Sequence, residues 1–178
     1  MSVDKSKRAE DNMATLTKAT ELWEHTIKVT SNANNFPKRY FKSVTQYIIE
    51  DARTINAYVY QANAIYVKTP DDYKDRRRFQ VLAHAKTFSL ESQINMAKRV
   101  FGLEKISVKF WTGLLKDERR LIQNWIRSEE TRYAAHLEAL QNKNAKGPAT
   151  ESPEETKAAA ETQQAPETKT EDGAGPEA

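Results

Sequence analysis

The sequence predicts an all-α fold, namely an antiparallel up-down-up-down four-helix bundle with a disordered C-terminal tail. Glycine is absent from the first 101 residues, and proline occurs there only at Pro37 and Pro70. Apolar residues recur three and four positions apart, which is typical of one face of a helix and not of a strand. Short polar breaks separate four such stretches, and short connections favour helices that fold back on their predecessors.

The first helix is predicted at about 15–31 and the second at about 37–66. An asparagine-rich turn separates them, and Pro37 suits a first helical turn because its missing amide has no partner there. The recurring positions of the first helix are Leu16, Ala19, Trp23, Ile27 and Thr30. Those of the second are Phe41, Val44, Ile48, Ala52, Ile55, Val59 and Ala62.

The third helix is predicted at about 71–101 and the fourth at about 107–140. Asp71 and Asp72 suit a helix N-terminus, Gly102 suits the residue after a C-terminus, and Ser107 suits an N-cap. The predicted core positions of the third helix are Phe79, Leu82, Ala83, Leu90, Ile94, Ala97 and Phe101. Those of the fourth are Trp111, Leu114, Leu115, Leu121, Ile122 and Trp125.

Composition divides the chain into a polar N-terminal extension (1–14), the bundle (15–141) and a tail (142–178). The tail lacks Val, Ile, Leu, Met, Phe, Tyr and Trp, so it has little apolar surface with which to offset the entropy of ordering. It carries four Lys against eight Asp and Glu, whereas the rest of the chain carries 24 Lys and Arg against 17 Asp and Glu. The tail is therefore acidic and the bundle basic. A basic domain is compatible with a nucleic-acid partner, although a charge excess can also serve solubility alone.

Several classes of protein are excluded or disfavoured by absent residues. The chain contains no cysteine, which excludes disulfide scaffolds, thiol catalysis and cysteine-ligated metals. No apolar run is long enough to span a membrane, and no export signal is evident, so we expect a cytoplasmic protein without membrane association. His25, His84 and His136 fall on three different helices without ligand spacing, and no phosphate-binding loop or nucleophile motif occurs. We therefore predict no catalytic residue, metal site or cofactor.

Two carboxylates face predicted apolar surfaces. Asp51 lies beside the apolar stripe of the second helix, and Glu118 lies in the middle of the apolar face of the fourth. Lys86 is predicted at the same level of the bundle, so we expect a buried ion pair or a small network. The alternative is an acid or base with a raised pKa, although no nucleophile or metal accompanies it.

Basic residues are predicted to concentrate at both ends of the bundle and along the fourth helix. One end gathers Lys38, Arg39, Lys42, Lys98, Arg99, Lys105 and Lys109, and the other gathers Lys68, Lys74, Arg76, Arg77, Arg78 and Arg132. On the fourth helix, four cations fall within about 40° of one another, opposite the apolar face. The predicted nucleic-acid-binding residues are Lys38, Arg39, Lys42, Arg76, Arg77, Arg78, Lys109, Lys116, Arg120 and Arg127.

Such surfaces attract a phosphate backbone without reading its sequence. A single bundle offers few contacts, so we expect several copies around an axis. Tyr58 and Tyr60 are predicted to meet another subunit, the alternative being that the tyrosines at 40, 47, 58, 60 and 66 stack on bases.

Four short segments carry a family resemblance: 36–40 (FPKRY), 47–52 (YIIEDA), 76–80 (RRRFQ) and 106–111 (ISVKFW). They resemble the four-helix bundle family that includes the accessory variability determinant (Avd) of diversity-generating retroelements and the proteins encoded in intervening sequences of bacterial 23S rRNA genes. The resemblance covers about residues 15–133. It implies a homopentameric barrel that is not a catalyst and whose basic surface binds nucleic acid and a reverse transcriptase.

By position, the resemblance implies that the functional basic residues of this chain are Lys38, Arg39, Arg76, Arg77 and Arg78. We expect RNA or an RNA/DNA hybrid as the nucleic acid, in support of mutagenic retrohoming. The alternative is a structural or protein-interaction bundle of the 23S rRNA intervening-sequence type, without a retroelement role.

Overall fold

The structure, a computed structural model, describes residues 5–145, and it places the side chains of residues 12–104 and 107–142. This part of the chain contains four α-helices and no strand. They are α1 (Lys5–Thr30), α2 (Gln46–Ala64), α3 (Pro70–Phe101) and α4 (Lys105–Ala145). A 3₁₀ turn at Lys38–Tyr40 and a π-helical turn at Phe41–Thr45 lead into α2. The all-helical, four-helix prediction is confirmed.

Both outer helices are longer than the apolar pattern indicates. Helix α1 begins at Lys5 instead of near Thr15, and α4 continues to Ala145 instead of ending near Leu140. Segment 5–14 is rich in Lys, Arg, Ala and Glu, which favour helix even without an apolar stripe. Residues 5–14 and 142–145 are therefore helical, and the rest of the predicted disordered tail, 146–178, lies outside the described residues.

The ends of α3 follow directly from local sequence. Thr69 is the N-cap: its side chain accepts a hydrogen bond from the amide of Asp72, and the Asp72 carboxylate accepts one from the amide of Thr69. Pro70 occupies the first turn, and Gly102 ends the helix in the left-handed conformation with φ 65°. The predicted cap at Ser107 is wrong, because α4 already begins at Lys105.

The principal helix contacts close into a ring, in which α1 packs on α2, α2 on α3, α3 on α4 and α4 on α1. Helices α3 and α4 run in opposite directions, because later residues of α3 contact earlier residues of α4. At one level Tyr73 stacks on Tyr133, and further along α3 the side chain of Thr87 accepts a hydrogen bond from Arg119. Each helix therefore buries one face against two neighbours, and the other face remains at the surface.

The core lies between the four helices and is closed at one end by the loop after α1. Phe36 of this loop is buried and meets Phe101 and Trp111 edge to face, with ring centroids 5.4 and 6.3 Å apart. The largest fully buried apolar side chains are Trp111, Leu22, Ile48, Ile55, Leu90, Ile94, Leu115, Ile122 and Val59.

Two predicted core positions are wrong. Ile27 is 40% exposed, and Phe41 is 48% exposed although it shares the apolar stripe of α2 in the sequence. Phe41 begins the π-helical turn, where hydrogen bonds reach five residues ahead instead of four. The turn therefore changes the phase of the chain before α2 starts. Thr45 is buried at the end of that turn instead.

Candidate nucleic-acid interface

Helix α4 presents a row of cations on its outer face, which we call the α4 stripe. Its members Lys109, Lys116, Arg120 and Arg127 are all exposed, as predicted. At 1.5 Å per residue the row extends over about 27 Å. Among the described residues, Arg120 is the member with an acidic partner, Asp117 at 3.5 Å, and this pair is itself well exposed. The stripe is therefore open to an external anion.

The neighbours of the stripe on α4 leave its charge largely uncompensated. Between residues 107 and 128 the acidic residues are Asp117 and Glu118, and Glu118 is fully buried. Arg119 turns toward α3, where its guanidinium donates hydrogen bonds to Thr87 and to Glu91, the latter at 2.6 Å. It also lies 3.9 Å from the centre of the Phe88 ring. The outer face of this section consequently carries four cations and one carboxylate.

Glu118 does not join the predicted network. Neither carboxyl oxygen has a hydrogen-bond partner, and burial raises the pKa of Glu118 well above its usual range, with Lys18 opposing the shift. Lys86 is bound elsewhere, because its ammonium donates to Asp51 at 2.7 Å. The prediction that Lys86 serves both carboxylates is therefore wrong for Glu118, which faces the side of α1 that carries Lys18.

The Asp51 half of the predicted network is confirmed. The Asp51 carboxylate is buried and accepts hydrogen bonds from Lys86, from the Ser89 hydroxyl and from the Gln93 amide, the last at 2.8 Å. All three donors lie on α3, one or two turns apart. This network joins α2 to α3 and satisfies the carboxylate, so it serves a structural role.

The segment before α2 presents a second group of cations. Lys38, Arg39 and Lys42 are exposed on the 3₁₀ and π-helical turns. The Arg39 guanidinium lies 4.8 Å from the centre of the Tyr40 ring, and Tyr40 packs on Phe101 at 5.4 Å. The three cations are therefore held on an anchored segment at the end of the molecule that also contains the C-terminus of α3.

The arginine run at the start of α3 is mostly engaged within the protein. Arg76 is 14% exposed, lies 2.5 Å from Glu129 and donates to the carbonyl of Ile65. Arg77 lies 3.6 Å from Glu130. Arg78 is exposed, and it has no ion-pair partner among the described residues. Of the three arginines, Arg78 is the one best placed to meet a phosphate, whereas Arg76 joins α3 to α4.

The two tyrosines predicted to meet another subunit differ in environment. Tyr58 is half-buried and packs on Phe79 of the same chain, with ring centroids 6.0 Å apart. Tyr60 is 49% exposed, and its hydroxyl lies 3.4 Å from that of Thr20. Tyr60 therefore offers the larger free surface.

The histidines do not converge. His25 meets Phe110 edge to face at 4.9 Å, and His84 meets Phe88 at 5.3 Å. Burial, assisted by Lys28 and by Arg119 respectively, lowers the pKa of both His25 and His84. Within the described part of the chain, no group of three or more histidines and carboxylates is arranged to hold a metal ion.

Neither a membrane-spanning helix in the described residues nor a match to a known protein points to a function. None of the helices in the described region combines the length and apolarity needed to cross a bilayer. The chain matches no model of a known protein family. It also matches no curated protein.

Proposed function

We propose that this protein is a non-enzymatic, oligomeric accessory protein that binds nucleic acid along the α4 stripe. The observation that carries the proposal is the exposure of four aligned cations beside a single exposed carboxylate, Asp117. Phosphates of a strand laid along α4 would approach Lys109, Lys116, Arg120 and Arg127 in turn. Contacts of this kind hold a backbone without selecting a base sequence.

The wider proposal is an antiparallel up-down-up-down bundle that assembles as a homopentamer in the cytoplasm. The ring of helix contacts and the opposite residue order of the α3 and α4 contacts support this topology. By its resemblance to the Avd family, the protein would bind RNA or an RNA/DNA hybrid together with a reverse transcriptase during mutagenic retrohoming. In an assembly, the exposed Lys38, Arg39, Lys42 and Arg78 would extend the α4 stripes of neighbouring copies.

The test is the salt dependence of binding to a labelled single-stranded RNA, measured by fluorescence anisotropy on the full chain. Each phosphate contact to a single strand contributes a slope of about 0.7 in log affinity against log salt. Four contacts therefore predict roughly a 50-fold loss of affinity between 50 and 200 mM salt. The triple substitution Lys109→Gln, Lys116→Gln and Arg127→Gln should remove most of that slope.

The control is Arg53→Gln, which removes an exposed arginine of α2 that is already paired with Glu50 at 2.6 Å. It should leave the slope unchanged. Equal slopes for the wild type and the triple variant, or no binding in dilute buffer, would exclude the α4 stripe as the interface. An RNA/DNA hybrid in the same assay distinguishes the two expected ligands.

A second candidate is a protein-interaction bundle without a nucleic-acid role. Exposed apolar residues on α3 favour it: Val81 is 47% exposed and Phe88 is 52% exposed, two turns apart on the same face. In this case Phe88→Ser would reduce self-association measured by light scattering, whereas the triple lysine and arginine substitution would not change it.

A further inference from the structure

A cavity of about 430 Å³ lies where the start of α3 meets the second half of α4. We call it the end cavity. Tyr66 and Lys68 of the loop before α3, Tyr73 of α3, and Tyr133 and His136 of α4 lie along its wall. Its volume is in the range of sites that hold small organic molecules. No residue of the α4 stripe lines it, so the stripe does not account for this feature.

The wall of the end cavity is aromatic. Tyr73 and Tyr133 stack face to face with centroids 3.8 Å apart and an interplanar angle of 4°, which joins the two helices rigidly. Tyr66 is 75% exposed and extends from the loop. The Lys68 ammonium lies 5.5 Å from the centre of the Tyr66 ring, so an aromatic surface and a cation lie side by side.

The end cavity is also lined by an ion-pair network around Glu129. Glu129 is buried and lies 2.5 Å from Arg76 and 3.8 Å from Arg132, and it accepts a hydrogen bond from Gln80. Among the described residues that line the cavity, Lys68 is the lysine or arginine that does not take part in this network. The Nε atom of Arg76 is buried without a hydrogen-bond partner. The Lys68 ammonium therefore remains available to an anion.

We propose that the end cavity binds a single nucleotide unit, with its base against Tyr66 and its phosphate beside Lys68. A planar base suits the exposed Tyr66 ring, since every base has a π-face, and a phosphate suits the Lys68 ammonium beside it. An anion without a flat apolar part would make no contact with the Tyr66 ring, and an apolar ligand would make no ion pair with Lys68. As a feature of a bound strand, the site rests on the proposed nucleic-acid function and adds a place for an unpaired base.

The same chemistry fits a free mononucleotide or one unit of a strand, and two measurements on the full chain separate these sources. The first is calorimetric titration with adenosine 5′-monophosphate, with adenosine and with inorganic phosphate. The second is anisotropy with a labelled single-stranded oligoadenylate and with a blunt RNA duplex of equal length. The variants are Tyr66→Ala and Lys68→Gln, both at exposed loop positions, and the control is Tyr47→Ala, an exposed tyrosine of α2 outside the cavity.

We expect the monophosphate to bind more tightly than adenosine or phosphate, because both parts of the site are then occupied. Tyr66→Ala should weaken monophosphate and single-strand binding roughly tenfold, leave duplex binding unchanged, and retain the wild-type circular dichroism spectrum. Tyr47→Ala should behave as the wild type in every titration.

The outcomes also separate this proposal from the stripe. In one outcome the protein binds the monophosphate, Tyr66→Ala abolishes that binding, and no strand binds. This outcome supports a free-nucleotide site and counts against the nucleic-acid function. In another outcome the single strand binds, neither Tyr66→Ala nor Lys68→Gln weakens this binding, and the monophosphate does not bind. This outcome overturns the end-cavity proposal but not the proposal that the α4 stripe binds nucleic acid. Weakening by Lys68→Gln alone, with equal affinity for monophosphate and phosphate, overturns the base contact.

Discussion

Glu118→Gln should change how the stability of this protein depends on pH. Glu118 is fully buried on α4, and neither of its oxygens has a hydrogen-bond partner. Burial raises its pKa well above the ordinary value of 4.5. Above pH 4.5 the unfolded chain therefore releases this proton while the folded chain keeps it. Stability accordingly falls as pH rises, until the folded pKa is passed.

The limiting slope is about 1.4 kcal/mol per pH unit for one proton. From pH 5 upward, until the folded pKa is reached, the wild type therefore loses about 1.4 kcal/mol per pH unit relative to Glu118→Gln. The comparison must be made as a difference between variants. The lowered pKa values of His25 and His84 act in the opposite direction, since their contribution to stability is lost as pH falls below 6.5, and they are common to both proteins.

Urea unfolding followed by circular dichroism, repeated across this pH range, measures the difference. Glu138→Gln, an exposed position on the same helix, is the matched control and should reproduce the wild-type curve. Parallel curves for the wild type and Glu118→Gln, with the variant less stable throughout, would refute the reasoning. Such a result would mean that Glu118 is ionised in the folded protein and stabilised by Lys18.

Three further predictions concern the packing, and they use five substitutions. Asp51→Ala should lower stability by about 2–3 kcal/mol in thermal or urea unfolding, because its three donors on α3 lose their acceptor. Lys86→Ala should lower stability less, because the Lys86 side chain is 40% exposed. Gly102→Ala should cost about 1–2 kcal/mol through its left-handed backbone alone, since an added Cβ meets nothing within 4 Å; an unchanged melting temperature would contradict this. Trp111→Phe should cost about 1 kcal/mol more than Trp125→Phe, because the Trp111 indole donates to Thr26 at 3.0 Å whereas the Trp125 indole nitrogen is unpaired.

Much of the candidate interface was predictable because it lies on one continuous helix. Helical geometry alone places Lys109, Lys116, Arg120 and Arg127 on one line, and the structure exposes all four. The same reasoning could not separate Arg76 from Arg78, because helical geometry gives the direction of each side chain but not which groups of α4 lie beside it. Glu129 lies far from Arg76 in sequence, so only the packing of the two helices reveals that it binds this arginine.

The end cavity was missed for a related reason. Tyr66 and Lys68 are close together in the sequence, which is a weak signal, but Tyr133 and His136 come from α4, far from them in the sequence. The sequence predicts cations at this end of the bundle, and it offers Tyr66 as one of five tyrosines that could stack on bases, as the alternative to a subunit interface. It contained no information on the space left between a loop and two helices.

The helical class, the four segments, the α3 caps and most of the apolar face of each helix follow from the sequence alone. These depend on interactions within a few residues, such as the Thr69 capping box, the conformation of Gly102 and the period of 3.6 residues. Which charged groups bind partners within the protein depends on the tertiary structure. The Asp51 carboxylate accepts hydrogen bonds from three donors, the Glu118 carboxyl group has no hydrogen-bond partner, and Arg119 points away from the α4 stripe toward α3. The physical reason is that the partners of a buried charge come from other helices. The position of those helices along the bundle and their rotation about their own axes depend on packing and not on local sequence.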